Sequence, residues 1–153
     1  MPRAPRLRTG RVGAHRRLSP VLGVLVALLA AGCQSPREKA GDALKSVASW
    51  AATSAMVGRS WLGGEVPTVY AKQTLDAAEQ AIQDTDRKLR SEELPGDLRT
   101  TIAAELRTRA AAVAAMRGAV EHGDSARAGS EADRMRVGAD SLRALADALS
   151  RSR

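Results

Sequence analysis

Residues 35–62, SPREKAGDALKSVASWAATSAMVGRSWL, carry the strongest structural signal in this 153-residue chain. Ser35, Pro36 and Glu38 stand in the order of a capping box, with Ser as the N-cap, Pro first in the helix and Glu third. A stripe at alternating steps of three and four then follows one helical face: Ala43, Val47, Trp50, Ser54, Val57 and Trp61. Gly63-Gly64 ends the pattern, which predicts a helix over residues 36–62.

Three further segments of similar length show the same periodicity. Val66-Pro67 opens the second, and Leu94-Pro95-Gly96 breaks the chain after it. The third runs from near Asp97 to Gly123, and Asp124 can cap the fourth. The predicted buried faces are Ala71, Leu75, Ala78, Ile82, Thr85 and Leu89 in the second helix, Leu98, Ile102, Leu106, Val113, Met116 and Val120 in the third, and Ala128, Ala132, Met135, Ala139, Leu142, Ala146 and Leu149 in the fourth.

Four helices of about 25 residues joined by short turns predict an all-α fold, an up-down-up-down four-helix bundle over residues 36–150. The composition agrees, because alanine is abundant while the chain has no Phe, one Tyr and two Trp. The alternative architecture is a pair of helical hairpins that complete their core by oligomerising. The monomeric bundle is favoured here.

The charge is unevenly distributed along the chain. The formal net charge is +7, but six arginines precede residue 18 without any acidic residue among them. The rest of the chain has 18 basic and 17 acidic residues. A nucleic-acid-binding domain keeps its basic patch on the folded part, so this distribution argues against nucleic acid as a partner.

The amino-terminal region has the layout of an export signal. The arginine-rich segment leads into an apolar stretch from Leu18 to Ala31, whose fourteen residues are fewer than the roughly 20 needed to cross a bilayer. Leu28-Leu29-Ala30-Ala31-Gly32-Cys33 follows. This segment resembles the lipobox of bacterial lipoproteins, in which small residues precede an invariant cysteine.

The resemblance implies a signal peptide over residues 1–32 and cleavage after Gly32. Cys33 would then carry diacylglycerol and further acyl chains, which bind a membrane firmly when two or more are present. Residues 33–35 would be the lipidated cysteine and a short linker, and residues 151–153 a basic tail. Gln34 after the cysteine favours the periplasmic face of the outer membrane, if the host has an outer membrane. The alternatives are ordinary secretion with cleavage of the signal, or a free buried cysteine in a cytosolic core.

The three aromatic residues are the candidate partner-binding residues. Trp50 and Trp61 are eleven residues apart and therefore share a helical face, and Tyr70 lies across the Gly-Gly turn from Trp61. Because Trp and Tyr are enriched at interaction hot spots, Trp61, Tyr70 and Trp50 predict a contact surface for a partner. The alternative is that the rings fill an alanine-rich core.

No catalytic, cofactor or metal site is predicted. His122 is the one histidine after the leader and stands at the predicted end of the third helix, without a Glu-x-x-His or Cys-x-x-Cys-His motif. A nucleophile needs an adjacent base and an orienting group, which a single histidine at a turn does not supply. Glu105 and Arg109 are spaced for a pair on a solvated helix face.

The sequence therefore predicts a lipid-anchored, non-enzymatic helical protein of the cell envelope. It would act as a scaffold or adaptor for a periplasmic protein or for the cell wall. The alternative is a periplasmic sensor or binding module that holds a small apolar ligand or an unfolded protein between its helices.

Overall fold

The computed structural model describes residues 34–151, which form four α-helices and two-to-five-residue connections. The helices are α1 (Pro36–Leu62), α2 (Thr68–Arg90), α3 (Gly96–His122) and α4 (Ser125–Arg151). The predicted all-α four-helix architecture is confirmed. The predicted signal sequence and Cys33 lie outside the described residues, as do the last two residues of the predicted basic tail.

The bounds and caps of α1 follow the sequence pattern. The Glu38 amide donates to Ser35 Oγ at 3.2 Å, and the Ser35 amide donates to Glu38 Oε2 at 3.2 Å, so the capping box is complete. The helix ends at Leu62 with Gly63 as its C-cap, and Gly64 has a φ of 73°, a conformation that costs glycine little. Gly64 thus allows the chain to reverse into α2.

The second helix ends before the predicted break at Leu94-Pro95-Gly96. It stops at Arg90, where the Ser91 hydroxyl donates to the Lys88 carbonyl oxygen at 2.7 Å and competes with continuation of the helix. Leu94 is buried within the connection, and Arg99 Nη2 donates to its carbonyl oxygen at 3.3 Å. The helix therefore ends one residue after Leu89, the last residue of the predicted face, and the predicted break at Leu94-Pro95-Gly96 falls within and just after the connection.

The turn between α3 and α4 is the shortest connection. Gly123 ends α3 in the left-handed conformation, with a φ of 71°. Asp124 Oδ1 accepts a hydrogen bond from the Arg127 amide at 3.0 Å, so Asp124 caps α4 as predicted. The two helices are consequently held as an antiparallel pair.

The helices form an antiparallel bundle in which α1 and α4 share the most extensive interface. Gly41, near the start of α1, faces Ala146 and Leu149 near the end of α4, while Gly58 faces Ala132 near the start of α4. Small residues at these positions let the two backbones approach closely. The pairs α2–α3, α3–α4 and α1–α2 complete the ring, and α1 also touches α3 across the bundle.

One hydrophobic core runs through all four helices. The predicted faces of α2, α3 and α4 are buried as expected, except that Thr85 and Leu98 are half-buried. The predicted face of α1 is confirmed at Val47, Ser54 and Val57, which are buried, while Ala43, Trp50 and Trp61 are half-buried. The buried side also includes residues that the prediction left out: Ala40, Leu44, Ala48, Ala51 and Ala55. The rings rest on the edge of this core because alanines fill its centre.

Candidate functional site

The turn between α1 and α2 carries a group of exposed apolar side chains. We call Leu62, Val69 and Tyr70 the distal apolar patch, since they lie at the end of the bundle opposite Gln34. Their exposed fractions are 38%, 66% and 54%. Leu62 also approaches α4, where its Cδ1 would stand 3.6 Å from a Cβ at Gly129. The patch therefore joins residues of two helices and borders a third.

The three sequence-predicted aromatic residues occupy different environments. Trp61 is half-buried against the core, and its Nε1 donates to Thr68 Oγ1 at 3.1 Å, which ties the end of α1 to the start of α2. Trp50 is half-buried against the same core in the middle of α1. Tyr70 is exposed. Of the three, Tyr70 offers most of its ring to a partner, and Trp61 supports the turn beneath it.

A second candidate site is the groove between α3 and α4, with a volume of about 900 Å³. We call it the α3–α4 groove. Its apolar part consists of Ala111, Ala112, Ala115 and Val137, and its polar part of Thr108, Arg109, Arg127, Ser130, Glu131, Asp133 and Arg134. Val137 is 57% exposed. The groove combines an apolar strip with converging charged groups, as ligand clefts do.

Arg109 lies at the base of this groove. Its Nη2 donates to Glu105 Oε2 at 3.0 Å, and only 13% of its side chain is exposed. The guanidinium fills the space beside the backbone of Gly138, where a Cβ would collide with it. The spacing of Glu105 and Arg109 correctly predicted the pair, but the expectation of a solvated face was wrong, because α4 covers Arg109.

The remaining charges of the groove are unequally compensated. Glu131 is buried, with 8% of its side chain exposed, and is paired with Arg134 at 3.2 Å. Asp133 is paired with Arg59 of α1 at 2.7 Å. Arg127 forms no ion pair with any residue that the structure describes. Arg127 is thus the one cation of the groove whose guanidinium has no ion pair within residues 34–151, and the nearby Asp124 carboxylate accepts from its backbone amide.

A row of ion pairs joins α2 to α3 on another side of the bundle. Lys72 Nζ lies 2.6 Å from Glu121 Oε1, and Arg117 Nη1 lies 2.7 Å from Asp76 Oδ1 and 3.1 Å from Glu79 Oε2. The hydrogen bond and charge of Lys72 lower the pKa of Glu121. The hydrogen bond to Asp76 and the charge of Glu79 raise the pKa of Arg117. This row links the two helices at a partly exposed surface, where Lys72, Glu79 and Arg117 are half-buried.

His122 lies in a different environment from Met116 and Met135. His122 is exposed at the end of α3, and its Nδ1 donates to the Gly118 carbonyl oxygen at 2.7 Å. Met116 and Met135 are fully buried in the core. Within residues 34–151 no group of three or more His, Cys, Asp or Glu side chains is placed to hold a metal ion.

Sequence reasoning missed the α3–α4 groove and its charged base. Glu131 falls beside the predicted face of α4, between Ala128 and Ala132, and its burial was not expected. The available signal was Gly138, a glycine in the middle of a helix, which indicates a close approach by a neighbour.

Neither a family model, nor a curated protein, nor a solved structure matches this chain. In the described part of the chain, none of the helices combines the length and apolar character needed to span a membrane.

Proposed function

We propose that this chain is an exported, lipid-anchored adaptor that presents its distal apolar patch to a protein partner in the cell envelope. The observation that carries the proposal is the exposure of Leu62, Val69 and Tyr70 on the two sides of one turn, since Met56 and Val137, the other large apolar side chains exposed within residues 34–151, lie elsewhere along the helices. Exposed apolar side chains that adjoin one another are typical of interaction surfaces. Single exposed apolar residues are common on protein surfaces and do not by themselves indicate an interaction site.

The proposed anchor at Cys33 precedes α1 in the sequence, and the distal apolar patch begins at the other end of α1, as expected of a protein that tethers a partner to a membrane. Cys33 precedes α1 by three residues in the sequence, so lipidation there would hold the Gln34 end of α1 near a membrane. The 27 residues of α1 span about 40 Å at 1.5 Å per residue. An anchored bundle would therefore be able to present the patch well away from the lipid surface.

The half-buried tryptophan strengthens the patch as a rigid surface. Trp61 is hydrogen-bonded to Thr68, so the turn that carries Leu62 and Val69 is fixed at both ends. A pre-ordered surface loses less conformational entropy when it binds. A turn that is already fixed would therefore favour binding of a partner at the distal apolar patch.

Photo-crosslinking in living cells tests the adaptor function. A photoreactive amino acid at position 70 is compared with one at position 107, which is exposed on α3 away from the patch. We expect a discrete protein adduct from position 70, none from position 107, and loss of the adduct in Val69→Asp. Equal adducts from both positions, or an adduct that Val69→Asp leaves intact, would contradict the proposal.

The anchor is tested separately by metabolic labelling with palmitate. We expect the full chain to incorporate label and to sediment with membranes, and Cys33→Ser to do neither. Labelling of the Cys33→Ser protein would overturn the lipidation at this residue while leaving the test of the patch intact.

A further inference from the structure

The α3–α4 groove has the chemistry of a ligand site, and it is separate from the distal apolar patch. None of Leu62, Val69 and Tyr70 lines it. Its volume of about 900 Å³ lies within the range of small-molecule clefts. A ligand site in this groove is therefore independent of the adaptor function.

The apolar part of the groove is built to accept a chain. Ala111 is exposed, and Ala112 and Ala115 are half-buried, so three short side chains leave a trough along α3. On the α4 side, Val137 exposes 57% of its surface. Covering these residues would remove apolar surface from water, which favours an apolar occupant.

The charged side chains of the groove indicate the chemistry of a polar head group on the same ligand. Glu131 and Asp133 are already paired with Arg134 and Arg59. Arg127 is left without an ion-pair partner among residues 34–151, and its amide is fixed by Asp124. Arg127 is exposed at the edge of the apolar trough, and a guanidinium without an ion pair is complementary to one negative charge.

The distance between these features sets the size of the ligand. Arg127 and Val137 are ten residues apart on α4, which is about 15 Å along the helix. We propose that the α3–α4 groove binds a single-chain amphiphile with one anionic head group. Arg127 binds the head, and the chain lies over Ala111, Ala112 and Ala115 toward Val137.

Photo-labelling of the full chain tests this site. The probe is dodecanoate carrying a photoreactive group in its chain, and the labelled residues are mapped by mass spectrometry. We expect adducts within residues 108–137 of α3 and α4. Excess dodecanoate should compete, while the uncharged dodecanol should compete much less because it lacks the charge that Arg127 binds.

Four variants make the test specific. Arg127→Gln removes the cation, and Ala111→Trp fills the trough from an exposed position; each should reduce labelling about ten-fold. Arg136→Gln and Ala104→Trp are the matched controls on the same helices, exposed and outside the groove, and should leave labelling within about two-fold of the wild type.

The outcomes are distinct. Labelling that maps to other residues, labelling that Arg127→Gln reduces no more than Arg136→Gln, or equal competition by dodecanol would each overturn the proposal, as would absence of labelling. Stronger competition by a lysophospholipid with one negative charge than by dodecanoate would support it and identify the source of the ligand as membrane lipid rather than free fatty acid.

Discussion

The guanidinium of Arg109 on α3 lies against the backbone of Gly138 on α4, in space that a side chain at position 138 would need. A glycine inside a helix costs about 1 kcal/mol relative to alanine. This position is nevertheless occupied by glycine, and the gap it leaves holds a charged group that exposes only 13% of its side chain. The pair therefore shapes the base of the α3–α4 groove at a cost in helix propensity.

Gly138→Ala should displace Arg109 with little change in stability. The guanidinium is the flexible end of its side chain and can swing toward solvent, while alanine favours the helix, so we expect the free energy of unfolding to change by less than about 1 kcal/mol. Gly118→Ala is the control, because nothing lies near its Cβ; it should stabilise by about 0.5–1 kcal/mol. Urea unfolding measures the stability of both variants. If Gly138→Ala stabilises the protein as much as Gly118→Ala does, the displacement of Arg109 has no free-energy cost.

Gly58→Ala should destabilise the bundle, in contrast to Gly138→Ala. A Cβ at position 58 would stand 2.8 Å from Met116 Sδ, and Met116 is fully buried, so it has no solvent to move into. Overpacking of this kind costs about 1–3 kcal/mol, measured as a lower urea midpoint. Met116→Val should recover part of the loss in the double variant; strictly additive effects would rule out the contact as the cause.

Trp50 and Tyr70 should differ in their effect on stability. Trp50 packs on the core at the edge of α1, so Trp50→Ala should lower the free energy of unfolding by about 2 kcal/mol. Tyr70 is 54% exposed, so Tyr70→Ala should change the free energy of unfolding by less than about 0.5 kcal/mol. Thermal unfolding followed by circular dichroism measures both. A large loss in Tyr70→Ala would place its ring in the structural core and weaken the adaptor proposal.

The fold was largely predictable because local signals and the hydrophobic period agree. The capping box at Ser35 and the left-handed Gly123 mark helix ends through backbone hydrogen bonding, which depends on neighbouring residues alone. The predicted buried faces of α2 and α4 also follow from a period of 3.6 residues. The sequence placed only a break at Leu94-Pro95-Gly96 after α2, and the helix already ends at Arg90, where the Ser91 hydroxyl donates to the Lys88 carbonyl oxygen.

The candidate sites were less predictable, because they depend on how helices meet. The buried side of α1 includes Leu44 and Ala51, which lay outside the predicted stripe, and α1 shares its most extensive interface with α4, a packing that the pattern within α1 alone does not specify. Arg109 and Glu131 look like surface charges in sequence and are buried only by the neighbouring helix. Tyr70 could be named in advance, but its exposure beside Leu62 required the structure.

Lys72→Met should raise the pKa of Glu121, whose carboxylate accepts a hydrogen bond from Lys72 Nζ at 2.6 Å. The pKa of Glu121 is lowered from 4.5, so the stability that this pair adds is present above pH 4.5 and is lost as the pH falls through the lower value. Carboxyl chemical shifts in an NMR titration should show a rise toward 4.5 in Lys72→Met, with some depression kept through His122 and Arg117. Lys45→Met, whose partner Asp42 lies on the same helix, should leave Glu121 unchanged. If the pKa of Glu121 is the same in Lys72→Met as in the wild type, Lys72 is not the cause of its depression, and the row of ion pairs between α2 and α3 does not stabilise the pair in the way described.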